Sequence, residues 1–376
     1  MARPHPALIE LAADRVLPPV DDLPGFLRSA MEHRMLGLVW RHVQSGGLAM
    51  DPELQRGLAT ESLLTEQRHR HLSAALLHAS ELLAGKGIDV ATFKGVAAER
   101  RWYDGVGDRP CWDADLLVAP HSLSRAGQLI EVIDPHRPND GRIQRLVDAG
   151  ILQTVDVVFE GVVLDIHFDL FKLGFRSRQP DVVWDRTVQV TLADGSSVRA
   201  LDAETSLVFS LLHLNKDRFA KLLGFAEVLR IMKRGDIDWE FVETFVSREG
   251  LETSHSHALY VVLETLGIEH MRRNPSTGWR SRLWNALFPR ETRLLGEAGR
   301  LRYGRRTALL FPFLVRGRSW DAARYLVRRM FPKSDMVDLV HPGTSGPYLW
   351  RLTAARVRQR MKRAKERRVL DAREGH

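Results

Sequence analysis

The feature that most constrains this chain is a change of hydrophobic period at Gly85–Lys86–Gly87. Up to that point apolar residues recur at helical spacing (Leu63, Leu64, Leu72, Ala75, Leu76, Leu77, Leu82 and Leu83), and the outer face is expected to be polar, with Glu66, Arg68, His69 and Arg70. After it come short β-rich runs: Ile88–Phe93, Trp112–Val118, and a hairpin over 151–168 that turns at Glu160–Gly161. A further strand pair is expected over 187–198. Between these lie a helix over 96–103 and another over 122–133. From Asp202, a helix N-cap with Glu204 in its first turn, the helical period returns and continues to about Leu266. Such an order predicts an α+β fold, a small mixed β-sheet flanked by helical N-terminal and C-terminal regions. The segments expected are 1–88 (helical), 89–200 (α/β core), 201–295 (helical) and 296–376 (a basic helical extension).

Within the core, two short stretches carry carboxylates where apolar residues would be cheaper. In Trp112–Val118 (WDADLLV), Asp113 and Asp115 stand two apart and share a strand face. Like charges so placed repel, so they belong either to a solvated turn or to a site that offsets them, as a divalent cation does. In Val162–Phe168 (VVLDIHF), Val163, Asp165 and His167 alternate with Leu164, Ile166 and Phe168. A carboxylate buried unpaired in such a strand costs several kcal/mol, so Asp165 is edge-exposed or paired. A metal shared by Asp113, Asp115 and Asp165 would answer all three. His167, two residues on, is placed to orient Asp165 or touch a ligand. Upstream, Lys94–Gly95 stands at a strand-to-helix turn, where a glycine lets backbone N–H groups approach an anion and a helix N-terminus favours it.

The succession Phe93–Lys94–Gly95, Tyr103, Arg109, DADLLV at 113–118 and LDIH at 164–167 resembles the bacterial uncharacterised nucleotidyltransferase family, a branch of the DNA polymerase beta-like nucleotidyltransferase superfamily. Leu207–Glu227 and Asp238–Trp239 are similar to that family's helical half, and the resemblance spans roughly residues 60–270. It implies Mg²⁺-dependent transfer of an NMP from an NTP to a hydroxyl acceptor (small molecule, sugar, RNA or protein) with release of pyrophosphate. Asp113 and Asp115 would bind two Mg²⁺ ions, or Mn²⁺ in their place, and Asp165 would activate the acceptor. Lys94, Gly95, Arg109 and Lys216 would meet phosphates, with His167 and His213 supporting the site. Lys precedes the glycine where the superfamily has Gly-Ser, and the gap from Gly95 to Asp113 is longer than usual. The alternatives are a non-catalytic nucleotide-binding or scaffold protein of the same fold, or an RNA-directed transferase.

Charge bears on that last alternative. The net charge is +8, yet residues 351–376 alone hold ten basic and three acidic side chains, and 296–350 hold ten and four. The rest of the chain is therefore net acidic. Segment 296–376 is the candidate contact for RNA or for an anionic membrane surface, with a solvated tail as the plainer reading. One cysteine, Cys111, excludes an intrachain disulfide and suits a reducing cytoplasm. The N-terminus lacks the apolar run of a signal peptide. The expected location is cytoplasmic, with peripheral attachment at the inner membrane surface as an option for the basic segment.

Overall fold

The computed structural model describes residues 3–136, 141–171 and 176–268, and isolated positions at 282, 283, 286, 293, 294 and 315. The expected basic segment, 296–376, lies outside the described residues except for Val315. Four helices come first: α1 (Pro6–Ala12), α2 (Leu23–Glu32), α3 (Leu36–Gln44) and α4 (Pro52–Ala84). In α4, Asp51 caps the start by accepting the Glu53 N–H, with Pro52 in the first turn. Its end falls at the expected glycines. Gly87, at φ +67°, is the left-handed residue, and the Ile88 N–H reaches back to the Leu83 carbonyl at 3.0 Å.

The α/β part follows as β1 (Val90–Thr92), α5 (Gly95–Trp102), β2 (Asp113–Val118), a 3₁₀ turn (Pro120–Arg125), α6 (Ala126–Ile133), α7 (Arg142–Asp148), β3 (Thr154–Phe159), β4 (Val162–His167), α8 (Pro180–Asp185), β5 (Val188–Thr191) and β6 (Ser197–Ala200). Four more helices complete the described chain: α9 (Ala203–Asp217), α10 (Leu222–Arg234), α11 (Trp239–Glu249) and α12 (Glu252–Thr265). The strands form one sheet in the order β3-β4-β2-β1-β6-β5. It is mixed: β2 runs parallel to β4 and β1 to β6, while the other neighbours are antiparallel. The fold is α+β, as the pattern of periods predicts. The β3–β4 hairpin turns at Glu160–Gly161, both at positive φ. The expected helix over 122–133 begins as the 3₁₀ turn and continues as α6, and α7 and α8 are short helices that the period did not mark.

Each face of the sheet is covered. Leu72, Leu76 and Leu83 of α4 and Leu129 and Ile130 of α6 pack on Ala114, Leu116, Leu164 and Ile166. Opposite them, Leu117 and Phe93 meet Val208, Phe209 and Leu212 of α9 and Phe245 of α11. The helical stretches before and after the sheet meet in a third core, where Phe26, Met35 and Val39 join Leu207, Phe225, Val228 and Val262. Side chains this buried contribute roughly 1.5–3 kcal/mol each, so α9 is fixed both to the sheet and to the N-terminal helices. Among the described residues no helix is long and apolar enough to cross a membrane.

Candidate active site

The pairing register decides which side chains meet. In the parallel β2–β4 pair, Asp115 lies beside Asp165, Asp113 beside Val163 and Leu117 beside His167. Because side chains alternate, Asp113, Asp115, Asp165 and His167 project from one face, the one covered by α9. The opposite face receives Leu116, Leu164 and Ile166, so the alternation read from VVLDIHF holds. A one-residue slip would bury the acids in the apolar layer under α4 and α6.

Lys94 enters from the β1–α5 turn. It has φ +60° and Gly95 follows at φ +54°, so two consecutive residues leave the usual backbone regions. A lysine held at positive φ is strained by about 1–3 kcal/mol. A Cβ added at Gly95 would lie 3.5 Å from the Asp113 carbonyl oxygen, an ordinary contact, so backbone conformation is what calls for glycine there. The turn directs the Lys94 ammonium to 2.7 Å from Asp115 Oδ1.

His167 completes the group. Its Nε2 lies 3.3 Å from Asp115 Oδ1 and 3.2 Å from Asp165 Oδ2. One ligand atom from each of Asp115, Asp165 and His167 falls within 4.8 Å of the others. Asp115 is buried, and its Oδ2 has no hydrogen-bond partner among the described residues. Burial acts to raise the Asp115 pKa, but Lys94 and His167 outweigh it and hold the carboxyl below the ordinary carboxylate range. Asp113 goes the other way: burial, then the charge of Asp115, pushes it up. For Lys94, burial works against the ammonium and the three aspartates overcome it, raising its pKa.

An orphaned, buried carboxylate oxygen beside a second carboxylate and an imidazole fits a divalent cation. The sequence places the metal on Asp113, Asp115 and Asp165. The structure gathers Asp115, Asp165 and His167, while Asp113, half-buried where β2 begins, stands outside that group. His167 is thus part of the cluster itself.

The other predicted residues divide. Arg109 is half-buried and paired with Glu227 of α10, and its backbone carbonyl accepts from His69 Nε2 at 2.7 Å. Burial works against the guanidinium, and Glu227 more than compensates, raising its pKa. His213 stacks on Phe209 (ring centroids 5.7 Å apart) and pairs with Asp217 at 3.1 Å. Lys216 lines a pocket of about 20 Å³ with Lys94, His167 and His213. A larger cavity, about 120 Å³, is lined by Arg34, Lys94, Arg109, His213, Lys221 and Glu227, among others. Arg34 and Lys221 were not legible as site residues. Arg34 sits in the α2–α3 connection and Lys221 between α9 and α10, and only the shared helical core brings them to Lys94.

No curated protein matches the chain. Among solved structures, the chain is similar to an antigenic nucleotidyltransferase-like protein from Paracoccidioides brasiliensis, with 13% identity, a TM-score of 0.33, and coverage of 53% of this chain and 94% of that one. A family described as "Uncharacterised nucleotidyltransferase" matches residues 19–267. That match takes in the Lys94–Gly95 turn, both strands of the carboxylate pair and α9 and α10, and it covers more than half of the sequence, so the chain belongs to the uncharacterised nucleotidyltransferase family.

Proposed function

We propose that this protein transfers a nucleoside monophosphate from an NTP to a hydroxyl acceptor at the face carrying Asp115, Asp165 and Lys94. The observation that carries the reading is the register that sets Asp115 against Asp165, with the Lys94 ammonium on Asp115 at the head of α5. A divalent cation on these carboxylates would stabilise charge developing on the α-phosphate and its leaving group. Asp165 has the position to hold the acceptor hydroxyl, and His167, within hydrogen-bond reach of Asp165 Oδ2, orients that carboxylate. Lys94, Arg34 and Lys221 supply positive charge along the cavity for a polyphosphate. Oxygen donors suit Mg²⁺, and the imidazole also admits Mn²⁺. The acceptor is a small molecule, sugar, RNA or protein, and a cytoplasmic setting with RNA or membrane contact through 296–376 belongs to the same proposal.

The test is incubation of the full-length protein with α-labelled NTPs, a divalent cation and cell extract. Label should move to an acceptor, and Asp115→Asn and Asp165→Asn should each abolish the transfer while folding is retained. Undiminished transfer by either variant would overturn the assignment. One observation favours a second reading, a nucleotide binder without catalysis: Lys94 and His167 already offset the carboxylates, and the 120 Å³ cavity is smaller than the roughly 300 Å³ of ordinary ligand pockets. Tight NTP binding with no label transferred to any fraction would support that alternative.

A further inference from the structure

Trp112 immediately precedes Asp113 and is 48% exposed. Leaving half an indole in water forgoes burial that most tryptophans achieve. Its neighbours are cations. The Arg34 guanidinium carbon lies 4.3 Å from the ring centroid, and that of Arg68, on α4, lies 5.6 Å away. An exposed cation–π contact contributes only about 0.5–1 kcal/mol, too little to account for an indole held at the surface.

The position of Arg34 connects the indole to the carboxylates. The same side chain that lies over Trp112 also lines the 120 Å³ cavity with Lys94, and Lys94 reaches Asp115. Arg34 thus touches the indole, Lys94 touches Asp115, and the two cations line one cavity. Along the chain, three residue steps lead from Trp112 to Asp115, about 10 Å at the rise of an extended strand. Aromatic rings flanked by arginines are what a nucleotide meets when its base stacks and its phosphates are neutralised.

We propose that Trp112 is the stacking platform for the base of the NTP, with Arg34 and Arg68 beside it and the polyphosphate running along Arg34 and Lys94 toward Asp115. Every base offers a π-face, so this contact gives affinity for nucleotides as a class over inorganic polyphosphate and little choice among the four bases. The proposal rests on the nucleotide-binding part of the function proposed above and is independent of whether transfer occurs.

The experiment compares ATP, inorganic tripolyphosphate and a short single-stranded oligoadenylate binding to the full-length protein, its Trp112→Ala variant and its Trp112→Phe variant, with Mg²⁺ throughout. Trp112→Ala should weaken ATP binding about tenfold or more, the usual loss of one base–aromatic stack. Trp112→Phe should recover most of it, and tripolyphosphate should bind all three alike. Wild-type ATP affinity in Trp112→Ala would overturn the platform while leaving the transferase reading intact. An equal loss of tripolyphosphate would also overturn it, because the indole would then only prop the cations. Loss of oligoadenylate with ATP unaffected would overturn it in favour of an acceptor strand. Failure of the wild type to bind ATP would overturn the platform, which offers every base the same face, whereas Trp112-dependent ATP binding without transfer would uphold the platform and refute catalysis.

Discussion

The Arg109–Glu227 pair ties the loop ahead of β2 to α10, and its removal tests how that loop is held. Side-chain exposure is 12% for Arg109 and 9% for Glu227, so neither charge is well solvated. Breaking a pair of this kind from one side leaves a buried charge uncompensated and costs about 3–5 kcal/mol, whereas replacing both partners with apolar groups of similar volume is nearly neutral. Glu227→Gln should therefore lower the thermal midpoint by on the order of 10 °C, and Arg109→Met by a similar amount. The double variant Arg109→Met/Glu227→Met should recover most of the loss, a coupling of several kcal/mol in a double-mutant cycle. Urea unfolding of the four proteins at neutral pH supplies the numbers. Additive losses would refute the argument. So would a harmless Glu227→Gln that binds phosphate more tightly, for that is the behaviour of an arginine held in reserve for a ligand.

Two further outcomes follow from buried charge. Lys94→Met takes the ammonium from Asp115, so it should destabilise the protein in chelator and enlarge the rise in thermal midpoint on adding Mn²⁺ beyond that of the wild type; an equal or smaller rise would mean that Lys94 and the cation do not share Asp115. Burial lowers the His33 pKa to about 4, and its Nδ1 accepts the Leu222 N–H at 3.3 Å. Because the folded value lies below the unfolded one of about 6.5, this contribution is complete above pH 6.5 and is lost as pH falls toward 4. Urea unfolding at pH 7.5 and 5 should show that loss in the wild type and a shallower one in His33→Asn, and parallel slopes would refute it.

The parts of the site visible in the sequence are those set by local rules. Alternation in VVLDIHF determines the face of Asp165 and His167 from seven residues, and the turn at Lys94–Gly95 is marked by its glycine. The pairing of Asp115 with Asp165, by contrast, depends on β2 and β4 lying parallel and adjacent, which no local pattern specifies. Arg109 shows the same limit. A basic residue in a loop before two acids reads as a phosphate ligand until α10 delivers Glu227 to it, and α10 arrives there because α1–α3 share a core with α9, α10 and α12. Trp112 stood in plain view beside Asp113, but its exposure, the property that gives it meaning, belongs to the folded chain.

The electrostatics of the site follow from one competition. Asp115 and Asp165 sit side by side under α9, where two unscreened carboxylates repel strongly. In the folded chain Lys94 and His167 both approach Asp115 Oδ1, and Asp115 is held ionised as a result. A cation on the unpartnered Asp115 Oδ2 meets an ammonium already on Oδ1, so metal affinity is reduced by the repulsion between the two positive charges. That ammonium lines the cavity it shares with Arg34 and Lys221, where a polyphosphate would draw it from Asp115 and relieve the repulsion. Metal and triphosphate should therefore bind with positive cooperativity, and the same coupling must appear whichever is added first. Lys94→Met removes the term that links them, and tighter metal binding with weaker triphosphate binding in that variant would be the signature of a single lysine serving both.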